Sequence, residues 1–106
     1  GTCRMTARFA YKVLTQAQWT DFVRDGIFRG APVDIADGYI HLSTEEQLSE
    51  TIDKHFKNQD GLMIAEVDLV ALGDKVRWEE SRGGARFPHI YAPLPLLAVQ
   101  SVRKAD

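Results

Sequence analysis

The chain has 106 residues, 44% of them hydrophobic and 26% charged, a balance that excludes a disordered or fibrous protein and leaves room for one core. Thirteen basic residues against fifteen acidic ones give a net charge of −2, so no global positive field is available to hold nucleic acid or an anionic membrane. The single cysteine, Cys3, has no partner for an internal disulfide, and there is no apolar run of about 18 residues, so a cytoplasmic protein without a membrane span is expected. Residues 1–6 read as a disordered leader or tag remnant, and residues 7–104 as a single domain.

Residues 8–14 alternate, with Phe9, Tyr11 and Val13 on one side and Arg8 and Lys12 on the other, which predicts a half-buried strand. Thr15 followed by Gln18 has the spacing of a capping box. Trp19, Phe22 and Val23 then recur at helical spacing until Gly26 stops the run. Between residues 27 and 38, Gly30, Pro32, Asp34 and Asp37-Gly38 predict a loop and a tight turn. Residues 39–43 form a second strand, with Ile40 and Leu42 on an apolar face and Tyr39, His41 and Ser43 opposite. Ser43 or Thr44 caps a second helix whose apolar stripe is Leu48, Ile52, His55 and Phe56. Residues 62–69 read as a central strand and residues 76–81 as another, with Arg77, Glu79 and Ser81 on one face; Arg82-Gly83-Gly84 breaks it. His89 and Tyr91 share a side of the next extended segment, and residues 96–102 form the last strand. Helices early and strands late make a segregated α+β domain, with two early helices and small, mostly antiparallel sheets.

Three strands thus each offer a polar face. If the faces converge, a carboxylate, two imidazoles, a phenol and a guanidinium surround one cavity able to bind a phosphate and steer hydroxyls; if they do not, each simply meets solvent. His41 and Glu79 are the candidate catalytic residues, and Ser43, Thr44, Ser81, Arg82, Gly83, Gly84, His89 and Tyr91 the candidate ligand-binding ones. Each has a plainer reading. Ser43 and Thr44 can cap the following helix, Gly83-Gly84 can be a hairpin turn, and Glu79 can pair with Arg77 on the surface. His55 sits on an apolar stripe as a core or boundary residue. Neither a Walker loop nor a nucleophile elbow is present. The histidines at 41, 55 and 89 have no His-x-x-x-His spacing and no cysteine beside them in the folded body, so no metal is expected.

Three blocks carry a resemblance: Asp37-Gly38-Tyr39-Ile40-His41-Leu42-Ser43-Thr44, Trp78-Glu79 with Ser81-Arg82-Gly83-Gly84, and Phe87-Pro88-His89-Ile90-Tyr91. In that order, and together with the early Gly26-x-Phe28-x-Gly30, they resemble the bacterial family known as domain of unknown function 952. That family is similar in fold to the ADP-ribosylation domains, which implies a cleft between small sheets that takes NAD as substrate and needs no metal. By that resemblance His41 and Ser43 fix a ribose, Tyr39 or Tyr91 contributes to an aromatic clasp on nicotinamide, and Arg82 neutralises the pyrophosphate. Glu79 holds a ribose hydroxyl and opposes a ribosyl cation, because the last strand offers Gln100 and no carboxylate. The implied activity is an ADP-ribosyl transferase or hydrolase. The alternative is a non-catalytic module binding a small anionic metabolite, or a partner, in the same cleft; the expected partner is a small phosphorylated or nucleotide-like ligand.

Overall fold

The computed structural model describes residues 8–80 and 85–105. Strand β1 (Phe9–Leu14) leads into α1 (Gln16–Asp25), whose start is fixed as the spacing predicts. The Gln18 amide donates to Thr15 Oγ1 at 3.1 Å and the Thr15 amide donates to Gln18 Oε1 at 2.9 Å. Gly26 ends the helix in the left-handed conformation, φ 75°. The following segment is not the predicted loop. It contains β2 (Ile27–Phe28) and a short helix, α2 (Pro32–Asp37), with proline in its first turn and Gly38 as its left-handed C-cap. Three turn-forming residues in six positions mimic a loop in sequence, yet each fits a helix end.

Strand β3 (Ile40–His41) follows, then a turn at residues 44–47, and only then α3 (Leu48–His55). The predicted capping by Ser43 or Thr44 is therefore corrected: Thr44 closes the turn with Gln47, four residues before the helix gains regular bonds. The remaining elements are β4 (Met63–Asp68), α4 (Leu69–Leu72), β5 (Val76–Glu80), β6 (Arg86–Ile90), β7 (Leu94–Pro95) and β8 (Val99–Lys104). The two predicted helices are joined by two further short ones.

All strand pairs are antiparallel. One sheet has the order β1-β4-β8, with β4 central as its continuous apolar character predicts; another has the order β3-β6-β5; β2 and β7 form a small ribbon. The two three-stranded sheets meet where Tyr11 and Ser43 exchange main-chain hydrogen bonds at 2.8 and 2.9 Å.

Strand β1 departs from half-burial because both its faces are covered. Ala10 and Leu14 join the larger core with Phe22, Ile40, Leu42, Val67, Ile90 and Leu94, while Tyr11 and Val13 join a second core with Leu48 and Ile64 beneath α3. Lys12, predicted to face water, lies between Ala10 and Leu14 on the larger core's side and is only 6% exposed. A lysine there requires a partner.

Candidate functional site

Side chains that alternate along β3, β6 and β5 collect on two common faces of one sheet. Ile40, Ile90 and Val76 stand in register against the core, and one residue on, His41, His89 and Arg77 stand in register on the other face. The three polar faces read from the sequence are thus one face. Glu79 reaches along it so that its Oε1 lies 2.7 Å from both His89 Nδ1 and the Tyr91 hydroxyl. The bond from His89 and that from Tyr91 hold the Glu79 carboxyl below its usual pKa, and the same carboxylate pushes the Tyr91 phenol up. Tyr39 stacks on His89 with ring centroids 4.1 Å apart, lies 4.7 Å from His41 and 5.2 Å from Tyr91, and has its phenol raised by burial and by the charges of Asp37 and Glu79. Arg77 lies over the Tyr91 ring at 5.3 Å.

Beside this cluster is a buried ionic hub. Asp34, 1% exposed, accepts at Oδ2 from Lys12 Nζ (2.9 Å) and the Ala31 amide (2.7 Å), and at Oδ1 from the His41 amide (3.1 Å) and His41 Nδ1 (2.9 Å). Lys12 Nζ also donates to the His41 carbonyl at 3.0 Å. Burial alone would raise the Asp34 carboxyl, but the hydrogen bond from His41 and the Lys12 ammonium hold it well below the ordinary carboxylate range. Burial pulls the Lys12 pKa down against the opposing charge of Asp34. His41 Nε2 faces Asp37 Oδ2 at 2.9 Å, so both ring nitrogens meet carboxylates. Gly30 makes room for the hub: at φ 126° a side chain is strained, and an added Cβ would lie 2.9 Å from Asp34 Cβ. Gly30→Ala is expected to cost about 1–3 kcal/mol, measured by chemical denaturation, and to shift the His41 ring resonances while leaving those of β8 in place.

Two hollows flank the rings. One, of about 260 Å³, is walled by Lys12, His41, Ser43, Phe56, Phe87 and His89 among others. The other, of about 310 Å³, lies on the far side of Tyr39 and Tyr91 and includes Arg29 and Gly38. The structure therefore brings His41, Ser43 and His89 to one cavity and Tyr91 to the other. Glu79 lines neither; it stands behind His89 and touches the cavity wall through that ring. Ser43 is hydrogen-bonded at 2.7 Å to Thr51, which lines the same cavity. Thr44 is on neither wall, its amide and hydroxyl both engaged by Gln47. Ser81, Arg82, Gly83 and Gly84 lie outside the described residues. His55, expected at a core boundary, is exposed on α3 beside the first cavity. Among the described residues no group of three His, Cys, Asp or Glu side chains is arranged to hold a metal ion, and no helix is long and apolar enough to cross a membrane.

Sequence reasoning missed Lys12, Asp34 and Asp37. Pro32 followed two residues later by Asp34 is a usable signal of a helix start with an acceptor for the amide before it. A lysine inside a strand bounded by Ala10 and Leu14 is the signal that one of its two faces is not free.

The comparisons bear on the whole of this architecture. The crystal structure of protein CC0527 from Caulobacter crescentus is 45% identical in sequence, superposes with a TM-score of 0.89, and the match covers 92% of this chain and 86% of that one. The solution structure of the same protein gives 44% identity and a TM-score of 0.83, over 94% and 86% of the two chains. No curated protein matches the chain. The family model described as a protein of unknown function, DUF952, matches residues 13–102, from the end of β1 into β8, and the chain belongs to that family.

Proposed function

We propose that the cleft binds the ribosyl end of an NAD-type nucleotide and that the domain acts on it as an ADP-ribosyl transferase or hydrolase of ADP-ribosylation-like fold. The observation that carries this reading is the wall shared by His41, Ser43 and His89, three hydrogen-bonding side chains on one cavity that Val13, Val33, Phe56 and Phe87 also line. Pockets that hold a drug-sized ligand usually span about 300–1,000 Å³. At about 260 Å³ the cavity suits one nucleoside half, and the second hollow, about 310 Å³ beyond Tyr39 and Tyr91, suits the remainder. An ionised Glu79 beside aromatic rings favours positive charge, as on a pyridinium or a ribosyl cation. In this reading His41 and Ser43 hold the ribose, Arg82 takes the phosphates, and no metal takes part.

A thermal-shift series with NAD, ADP-ribose, nucleotides and sugar phosphates tests the reading. A ligand at 100 times its dissociation constant adds about 2.7 kcal/mol, on the order of 10 °C for a domain of this size. The reading fails if no ribosyl nucleotide shifts the midpoint or perturbs the Tyr39, His41 and His89 resonances. One observation favours a second reading, a non-catalytic module for a small anionic metabolite: Glu79 stands behind the cavity wall with its Oε1 already shared by His89 and Tyr91.

A further inference from the structure

Strand β3 is two residues long and pairs with β6 on one side. The Leu42 amide donates to the Pro88 carbonyl at 3.0 Å, so by the alternation of an antiparallel ladder His41 turns its own N–H and C=O away from β6. Both groups go to the Lys12–Asp34 pair: the amide to Asp34 Oδ1, the carbonyl to Lys12 Nζ. The ring nitrogen Nδ1 goes to the same Asp34 oxygen. One buried ion pair, joining β1 to α2, therefore grips the backbone of His41 on both sides and its imidazole as well.

A structural clip between β1 and α2 would need only the bonds to Lys12 and the Ala31 amide at Oδ2. The second oxygen is spent wholly on His41, and the carboxylate is placed to serve the amide and the ring of that one residue. An ionised carboxylate has only acceptors, so Nδ1, 2.9 Å from Asp34, must carry a proton, and Nε2 carries a second for as long as it donates to Asp37 at 2.9 Å.

We infer that Asp34 is a positioning residue for His41, with Lys12 as its buried counter-cation, and that the pair keeps a proton on Nδ1, whatever Nε2 carries, and presents Nε2 as the atom that meets a ligand. Asp37, at the end of α2 and opposite Nε2, is the group a ligand hydroxyl displaces. The assignment of Nε2 to a ligand rests on the proposed binding reading; the orientation of the ring and the proton on Nδ1 do not.

Long-range 1H–15N spectra of the histidine rings test this at about pH 8, above the ordinary histidine range. In the wild-type protein His41 is expected to hold a proton on Nδ1, whether or not Nε2 carries a second. In the Lys12→Met/Asp34→Asn double variant, which removes both charges together, exchange of that proton with water is expected to accelerate about tenfold or more. The His89 ring, tied to Glu79, serves as the internal control and stays unchanged. Finding the wild-type proton on Nε2 alone overturns the inference and requires no variant to fold. So does unaltered exchange at His41 in a folded double variant. Failure of NAD to bind leaves the tautomer result standing and removes only the ligand assignment, whereas NAD binding that weakens about tenfold in the double variant supports both.

Discussion

Asp34→Ala is expected to destabilise the domain by about 3–5 kcal/mol, the largest effect of any single change at the site, read as a fall in the midpoint of urea unfolding. The loss has two parts. Lys12, with a side chain 7% exposed, is left as a buried cation without its counter-charge, and the Ala31 and His41 amides lose their acceptor. Removing both charges leaves no buried ion unpaired, so the Lys12→Met/Asp34→Asn double variant should be more stable than Asp34→Ala, and the two sites should be strongly non-additive. Acid should act on the same pair. The folded protein holds Asp34 ionised below the ordinary carboxylate range, so its contribution is fully present above an unfolded pKa of about 3.9 and is lost as pH falls through the depressed folded value. Stability measured downward from neutral pH should hold its Asp34 contribution to about pH 5 and decline below it. A protein with Asp34→Ala that unfolds at the wild-type urea concentration would show that the ion pair contributes nothing.

Glu79→Gln is expected to lower turnover of NAD by about 10²–10³-fold if the domain is a transferase or hydrolase, since removing one group that faces developing charge usually has an effect of that size. The substitution is nearly isosteric. A glutamine oxygen can still accept from His89 and Tyr91, so the ring cluster should persist while the negative charge is lost. The two functional readings separate here. An enzyme loses nicotinamide release with its thermal midpoint and NAD affinity nearly unchanged, whereas a binding module shows no release in either form. Retention of full turnover in Glu79→Gln would remove Glu79 from the chemistry altogether.

Much of the fold was readable because local signals agreed with tertiary ones. The Thr15/Gln18 box, the Gly26 stop and the apolar run of β4 each act within a few residues, and each stands where its pattern places it. The site face was readable for a similar reason. Period-2 alternation put His41, Glu79 and His89 on polar faces, and pairing β3-β6-β5 into one sheet was enough to merge them. What escaped depended on contacts that alternation does not encode. Lys12 looks exposed because alternation gives its strand one dry face, that of Tyr11 and Val13, when the larger core covers the face of Ala10, Lys12 and Leu14 as well. Asp34 looked like a turn residue because its partners lie 22 residues before it and seven after. The helix after β3 begins later than its cap-like residues predict because Thr44 has the chemistry of a cap but uses it on a turn. Residue type marked Glu79 as reactive; only the packing of His89 in front of it shows that it stands one layer back from the cavity.

The exchange of two hydrogen bonds between Tyr11 and Ser43 is a seam one rung long, and the first cavity straddles it, with Tyr11, Lys12 and Val13 on one bank and His41, Ser43 and His89 on the other. The long ladders run within each sheet, and across the seam this rung is joined by the Lys12 bond to the His41 carbonyl and by the larger core. An occupant that touches both banks would span that rung, so occupancy should be felt as slower solvent exchange of the Tyr11 and Ser43 amides.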